Sequence, residues 1–354
     1  FVSGIPKDVW QAMNNDPTLP QTNKALAGQY PPGSTFKMIT ALAGLEAGTI
    51  NRNTSVKCLG VYKLGRDKFH CWKRYGHGRM DIISAIQQSC DTYFYEMAVE
   101  TGIDRIAEMA ERFGLGKTLG FEIEEEKPGL IPDQAWKRKR FGNKWQPGET
   151  VVASIGQGYI LTTPLQLAVM TARLVNGGYA VKPWITGYVG DQFKGAEQWP
   201  KIKVSDAHLA MVKKGMGAVV NTPKGTAYAS QIIDENLGAM AGKTGTAQVR
   251  RITAEQRRLG VKNEELPWEQ RHHALFVGYA PVDDPRYVCS VVVEHGVGGS
   301  SAAAPLAKKI LEQVQIRDPA ATDIYSFDKD KTTQDESVKR DMIGPFLPSR
   351  EIGG

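Results

Sequence analysis

The spacing of apolar positions changes along this chain. From Ser34 onward Phe36, Ile39 and Ala43 recur at helical intervals, Leu42 and Leu45 widen the stripe, and Gly48 supplies a stop, which predicts a helix. Residues 81–114 keep the helical period but break near Ser89 to Asp91, which predicts helices on either side of an interruption. Residues 163–177 predict another apolar helix, opened by Pro164 at a favoured first-turn position. In the last third the signal turns to β-branched and aromatic runs at Thr246–Arg250, Ala274–Ala280 and Tyr287–Glu294. The last two runs flank Pro281-Val282-Asp283-Asp284-Pro285 and predict an antiparallel hairpin. Pro305 then opens a helix with Leu306, Ile310, Leu311 and Val314 on one face.

Between these elements the pattern weakens. Residues 1–33 carry Pro6, Pro17, Pro20, Pro31 and Pro32 and read as irregular. Residues 51–80 are polar and loop-like, residues 115–150 read as a long excursion rich in Gly, Pro, Lys and Glu, and residues 317–354 read as a surface tail. The expected class is α+β: late antiparallel strands covered by helices from both ends, with a mostly helical insertion over about 50–160.

Composition narrows the class without naming a chemistry. The chain has 354 residues, 41% hydrophobic and 23% charged, which suits a globular protein and excludes disorder as the default. A net charge of +6 is a modest excess, and the run Lys137-Arg138-Lys139-Arg140 reads as solvated surface; no nucleic-acid partner is expected. No run of eighteen apolar residues is present. The chain opens at Phe1 without Met and is expected to be a fragment whose membrane anchor lies upstream.

Three short motifs carry candidate chemistry. Ser34-Thr35-Phe36-Lys37 follows Pro31-Pro32-Gly33, a turn that delivers Ser34 to a helix start with Lys37 one turn on, on the same face. A neutral lysine amine beside a serine hydroxyl takes its proton, and the helix N-terminus favours negative charge on that oxygen. Alone the spacing is weak: an N-cap serine with a surface lysine has the same signature, and Ser326 to Lys329 repeats it without assigned meaning. Ser89-Cys90-Asp91 sits at the helix break, where a hydroxyl can shuttle a proton and a carboxylate can orient a lysine; a plain helix cap is the competing reading. Lys243-Thr244-Gly245-Thr246 opens a strand, where a cation and hydroxyls suit a substrate carboxylate and Gly245 permits close backbone approach. The backbone N–H groups of Ser34 and Thr246 are the expected oxyanion donors; a solvated edge strand is the competing reading.

Taken in order, serine-lysine, serine-polar and lysine-threonine-glycine form the motif set of penicillin-binding proteins and class A β-lactamases. The stretches Tyr30–Lys37, Ser89–Tyr95, Ser154–Gly158 and Gly242–Ala247 closely resemble class B penicillin-binding proteins, over roughly residues 20 to 315. An aspartate at Asp91, where many relatives have asparagine, is similar to the elongation-type subfamily, penicillin-binding protein 2. The resemblance implies the family's transpeptidase fold, with a central antiparallel five-stranded sheet flanked by helices. It implies Ser34 as nucleophile, Lys37 as general base, Ser89 and Asp91 in the proton network, and Lys243, Thr244, Gly245 and Thr246 at the substrate. The implied activity is DD-transpeptidation of peptidoglycan stem peptides, with β-lactams acylating the same serine. The implied setting is the periplasmic face of the bacterial inner membrane, beside a membrane glycosyltransferase and other elongation-complex proteins.

The cysteines add a second question. Cys58, Cys71, His77 and Cys90 are separated by gaps of twelve, five and twelve residues. Three thiolates and an imidazole are a tetrahedral structural zinc set, though these gaps exceed ordinary finger spacing. A disulfide or unpaired thiols remain open, with Asp67 and His70 as competing ligands. Some elongation-type relatives bind zinc in the same region, with aspartates at two of the positions. Cys289 reads as a buried core thiol, and His272 and His273 as strand-edge or loop histidines. Two alternatives share the fold: a β-lactamase, for which no water-positioning glutamate is identifiable, and a β-lactam sensor.

Overall fold

The computed structural model describes residues 4–190, 192–193, 199–250 and 253–319. The tail expected over 317–354 therefore falls almost wholly outside the described residues, as does the Ser326 to Lys329 repeat.

The stretch expected to be irregular holds two helices, α1 (Lys7–Asn15) and α2 (Lys24–Ala27). Pro6 sits at the N-cap of α1, where its missing N–H costs nothing, so a proline taken as a breaker marks a helix start instead. A tight 3-10 turn, Gly33–Phe36, runs straight into α3 (Lys37–Glu46). This helix is buried on every side from Lys37 to Leu45, which is why its stripe widens beyond one face, and Gly48 follows it at φ +71°.

Residues 51–80 are not the loop expected. They form β1 (Val56–Cys58), β2 (Val61–Leu64), β3 (Asp67–His70) and β4 (Gly78–Met80), paired antiparallel as β1–β4 and β2–β3. Strands this short leave too few alternating positions to be read from hydropathy. The helices expected over 81–114 are α4 (Ile82–Gln87), α5 (Asp91–Thr101) and α6 (Ile103–Arg112), with the break at Ser89. The expected excursion over 115–150 contains α7 (Gln134–Phe141) and then α8 (Pro147–Ala153). The sequence of α7, QAWKRKRF, has no apolar period; only its caps betray it, Asp133 accepting from Trp136 N at 2.6 Å and Gly142 turning left-handed after it. The helix opened by Pro164 is α9 (Pro164–Val175), capped by Thr163 and Gln166 in a reciprocal box.

A minor pair, β5 (Tyr188–Val189) and β6 (Gln192–Phe193), precedes α10 (Asp206–Asn221), a helix for which no element was expected. Then come β7 (Ala241–Ala247), α11 (Ala254–Leu259), β8 (His273–Ala280), β9 (Tyr287–Val293) and α12 (Ala304–Arg317). The expected hairpin is β8–β9, registered through Gly278 opposite Cys289. β7 pairs antiparallel with β8, placing Lys243 opposite Val277 and Thr246 opposite Ala274. The central sheet therefore has three strands among the described residues, in the order β7-β8-β9, where five were expected. β7 begins at Ala241, so the Lys243–Thr246 motif lies inside the strand and does not open it. On α12 the buried positions are Ala304, Ala307 and Leu311; Leu306 and Ile310, expected on the apolar face, are 45% and 48% exposed. Small residues on the inner face let the helix lie close to the sheet.

One apolar cluster joins these layers, from Phe36, Ile39 and Leu42 of α3 through Tyr93 and Phe94 of α5 and Val212 and Met216 of α10 to Leu275 and Phe276 of β8. The three motif regions are thus attached to a single packed core. Among the described residues no helix is long and apolar enough to cross a membrane.

Candidate active site

The turn that presents Ser34 is wedged between two backbones. Gly33 adopts φ +54°, and a Cβ there would stand 2.5 Å from the Thr246 carbonyl oxygen of β7. On the opposite side Gly33 N donates to Gly156 O at 3.0 Å, and a Cβ at Gly156 would stand 2.3 Å from Gly33 O. Only backbones without side chains approach this closely. The backbone of β7 at Thr246 is thereby held against Gly33, the residue before Ser34. Gln157 fastens it further, its amide Nε2 donating to Thr246 O at 2.9 Å. Ser34 is half-buried, and among the described residues its Oγ has no hydrogen-bond partner.

Behind Ser34 lie two fully buried amines. Lys37 Nζ donates to Asp91 Oδ1 at 2.6 Å, to Ser89 O at 2.9 Å and to Ser89 Oγ at 3.1 Å. Lys243 Nζ donates to Ser89 Oγ at 2.9 Å and to Thr244 O at 3.0 Å. The Ser89 hydroxyl is therefore the meeting point of α3, the α4–α5 break and β7. It neither caps a helix nor faces solvent, and Lys243 is not the solvated edge lysine of the competing reading. Ser89 holds φ +54°, a region a serine enters at a cost of about 1–2 kcal/mol. That conformation turns both its carbonyl and its hydroxyl toward Lys37.

The electrostatics follow from burial. Desolvation, followed by the charge of Lys37, pushes Lys243 well below the usual lysine range, with Asp91 opposing. Burial raises the Asp91 carboxyl above its ordinary value, against the pull of Lys37. Asp91 Oδ2 also accepts the Trp72 backbone N–H at 2.8 Å, and the Trp72 indole donates to Ser89 O at 3.0 Å. On β7, Thr244 Oγ1 lies 2.8 Å from Thr226 Oγ1.

A second cluster abuts this one. Cys58, Cys71, His77 and Cys90 place one donor atom each within 4.8 Å of one another. His77 Nδ1 lies 3.6 Å from Cys58 Sγ and 3.5 Å from Cys71 Sγ. All four cysteines of the chain stand as free thiols. The hydrogen bond from Cys90 draws the Cys71 thiol well below its ordinary range, and the same contact pushes Cys90 up. His77 is raised by its bonds to Cys71 and Cys58 in spite of burial, which pulls it down. His70 and Asp67 are outside the donor set; Cys289 is a buried thiol in β9, as expected. His273 begins β8 and His272 immediately precedes it. The Trp268 and His295 rings lie 4.3 Å apart, centroid to centroid, and are tilted by 50°.

The sequence-predicted residues Ser34, Lys37, Ser89, Asp91, Lys243, Thr244, Gly245 and Thr246 thus meet in one place. Reading the sequence missed Trp72, Gln157 and Thr226. Trp72 stands next to Cys71, and Gln157 lies within the Ser154–Gly158 motif; both positions were legible, but their partners were not.

Comparison with known proteins bears on the same residues. Residues 7–312 match the family described as the penicillin binding protein transpeptidase domain. The chain is 38% identical over 319 residues to the peptidoglycan D,D-transpeptidase MrdA of Haemophilus influenzae, covering 88% of this chain and 48% of that protein. It is 35% identical over 328 residues to MrdA of Escherichia coli, covering 90% and 50%. It spans about half the length of these curated relatives. Among solved structures, PBP2 of Pseudomonas aeruginosa in complex with WCK 5153 superposes with TM-score 0.77 at 38% identity, covering 88% of this chain and 66% of that one. The complex of PBP2 with MreC from Helicobacter pylori superposes with TM-score 0.76 at 32% identity, covering 88% and 54%. With most of its length, its motifs in order and the fold around them all matched, the chain belongs to the penicillin binding protein transpeptidase domain family.

Proposed function

We propose that this chain is the catalytic domain of a serine DD-transpeptidase that cross-links peptidoglycan stem peptides through an acyl-enzyme on Ser34. The observation that carries the reading is the Ser89 hydroxyl held between two buried amines, 3.1 Å from Lys37 and 2.9 Å from Lys243. Ser34 Oγ attacks the carbonyl of the penultimate D-Ala and forms the ester bond as its proton passes to Lys37. As found, Lys37 spends its hydrogen bonds on Ser89 and Asp91, so it needs an outlet for a proton before it accepts one. A carboxyl raised by burial is suited to take it, which gives Asp91 its role. The N–H groups of Ser34 and Thr246 receive the developing oxyanion. As the C–N bond breaks, Ser89 passes its proton to the departing D-Ala nitrogen and takes in its place the proton that Lys37 received from Ser34, with Lys243 polarising its hydroxyl. In the second half an amine of a neighbouring stem attacks the ester and Ser34 regains its proton by the reverse route. Lys243 and Thr244 receive the terminal carboxylate, and Gly245 and Thr246 line the pocket beside it. β-Lactams acylate Ser34 by the same first half.

The Cys58, Cys71, His77 and Cys90 set fits a structural zinc ion by donor chemistry. Four soft or borderline donors converge as free thiols and an imidazole that presents Nδ1 to two of the sulfurs. A bound ion would supply a cross-link and no step of the reaction. Its value lies in what the ligands adjoin: Cys90 separates Ser89 from Asp91, and Cys71 precedes Trp72, which binds both.

In domain terms we place a helical subdomain over about 50–160 between the two parts of a sheet subdomain, within residues 1–316. By family resemblance the domain works on the periplasmic face of the bacterial inner membrane. Its partners there are a membrane glycosyltransferase and elongation-complex proteins such as MreC, the partner seen in the Helicobacter pylori complex. The test is intact-mass analysis after addition of a penicillin. A single stable adduct, lost in Ser34→Ala and accompanied by cross-linking of stem peptides, is expected. Rapid release of hydrolysed penicillin would establish a β-lactamase, and a stable adduct without cross-linking a sensor.

A further inference from the structure

The hydroxyl of Thr244 has a partner that the motif does not predict. Thr226 Oγ1 lies 2.8 Å from Thr244 Oγ1, and among the described residues neither hydroxyl makes another hydrogen bond. Two hydroxyls in such a pair share one proton between them, and the second proton points away. If Thr244 donated to Thr226, it would show a lone pair to an incoming carboxylate. If Thr226 donates, the Thr244 proton is released toward the ligand, and each bond of the chain strengthens the next. An anion selects the second arrangement.

Thr226 is held firmly enough for this task. Gly225 N donates to Thr222 O at 2.8 Å and Ala227 N to Val219 O at 3.0 Å, so both neighbours are tied to the end of α10. A Cβ at Gly225 would stand 2.1 Å from Val219 O, which fixes the turn against that helix. Thr226 N itself donates to Gln87 O at 3.3 Å, two residues before Ser89. The segment that carries the shared Ser89 hydroxyl thus also anchors the residue behind Thr244.

We propose that Thr226 is a positioning residue whose hydroxyl donates to Thr244 and turns the Thr244 proton toward the terminal carboxylate of the substrate. The inference rests on the transpeptidase reading and specifies its substrate class: ligands with a free carboxylate beyond the reacting carbonyl. The experiment compares acylation rates for benzylpenicillin and its uncharged methyl ester in the wild type, Thr226→Val, Thr226→Ser, Thr244→Val and the double valine variant. Thr226→Val should slow benzylpenicillin about tenfold, leave the ester within about twofold, and be restored by serine. The double variant should be no slower than Thr244→Val, because Thr226 acts through Thr244. Equal slowing of both compounds, or additive losses in the double variant, would overturn the positioning role. Thr226→Ala serves the same comparison should the valine protein not fold. Wild-type protein taking up neither compound would instead overturn the transpeptidase reading, and this inference with it.

Discussion

The junction around Ser89 and the strand pairs over 56–80 lie side by side but are stabilised differently. At the junction, two lysines, a carboxylate and a hydroxyl are buried, satisfied by one another and embedded in the main apolar core. The strand pairs contribute few buried side chains, chiefly Val56, Cys58, Cys71 and Met80, and their other positions are largely half-buried or exposed. Pairs of strands this small are marginal alone and need a cross-link or a neighbour. Buried ionic groups held by a core can be precise because they do not depend on local stability. A small sheet beside them transmits precision only while something ties it down.

The sharpest way to break this contrast is at the junction. Lys37→Met should lower the rate of acylation by a penicillin about 10³-fold or more, read by mass spectrometry, because the proposed base and the partner of Asp91 go together. Lys243→Ala comes next, at about 10²-fold in the same assay, since the amine that hydrogen-bonds the Ser89 hydroxyl is lost while Lys37 remains. Neither change should open residues 56–80 to protease. Chelation of the zinc proposed at Cys58, Cys71, His77 and Cys90, or Cys71→Ser, should do the reverse. Cleavage within 56–80 should appear first, and acylation should fall about tenfold because Trp72 loosens its hold on Asp91 and Ser89. Equal sensitivity of the whole domain to chelation would show that the two regions are one cooperative unit.

The smallest effect concerns neither region and serves as a reference. Burial, followed by the charge of His295, lowers His273 to about 4. Its folded value lies below the unfolded value near 6.5, so below that pH the unfolded chain takes up a proton that the folded chain refuses. Stability is therefore full above about pH 6.5 and declines as pH falls toward 4. Because His273 is only partly buried, the melting midpoint should drop by about 2–4 °C, and less in His273→Gln.

The sequence made the motif positions legible because each stands where a strong local signal changes: a proline turn, a helix break, a β-branched run. Their convergence was legible only through the fixed order of the three motifs. What stayed hidden depended on partners distant in sequence. The helix α7 is held by its caps and by Lys137 paired with Glu149, so its polar sequence shows no stripe. Leu306 and Ile310 of α12 are apolar and exposed, which inverts the rule that produced the expectation. The stripe of α10 at Leu209, Val212, Met216 and Val219 has helical spacing and was readable, but no element was placed there. Thr226 carries no local signal; only the fold brings it beside Thr244.

The seam of bare backbone where Gly33 meets Gly156 and Thr246 limits which substitutions the turn carrying Ser34 can accept. A methyl group at either glycine would pry the turn that carries Ser34 from its neighbours. Substitutions that the domain tolerates should therefore fall among side chains outside this contact and leave the seam untouched.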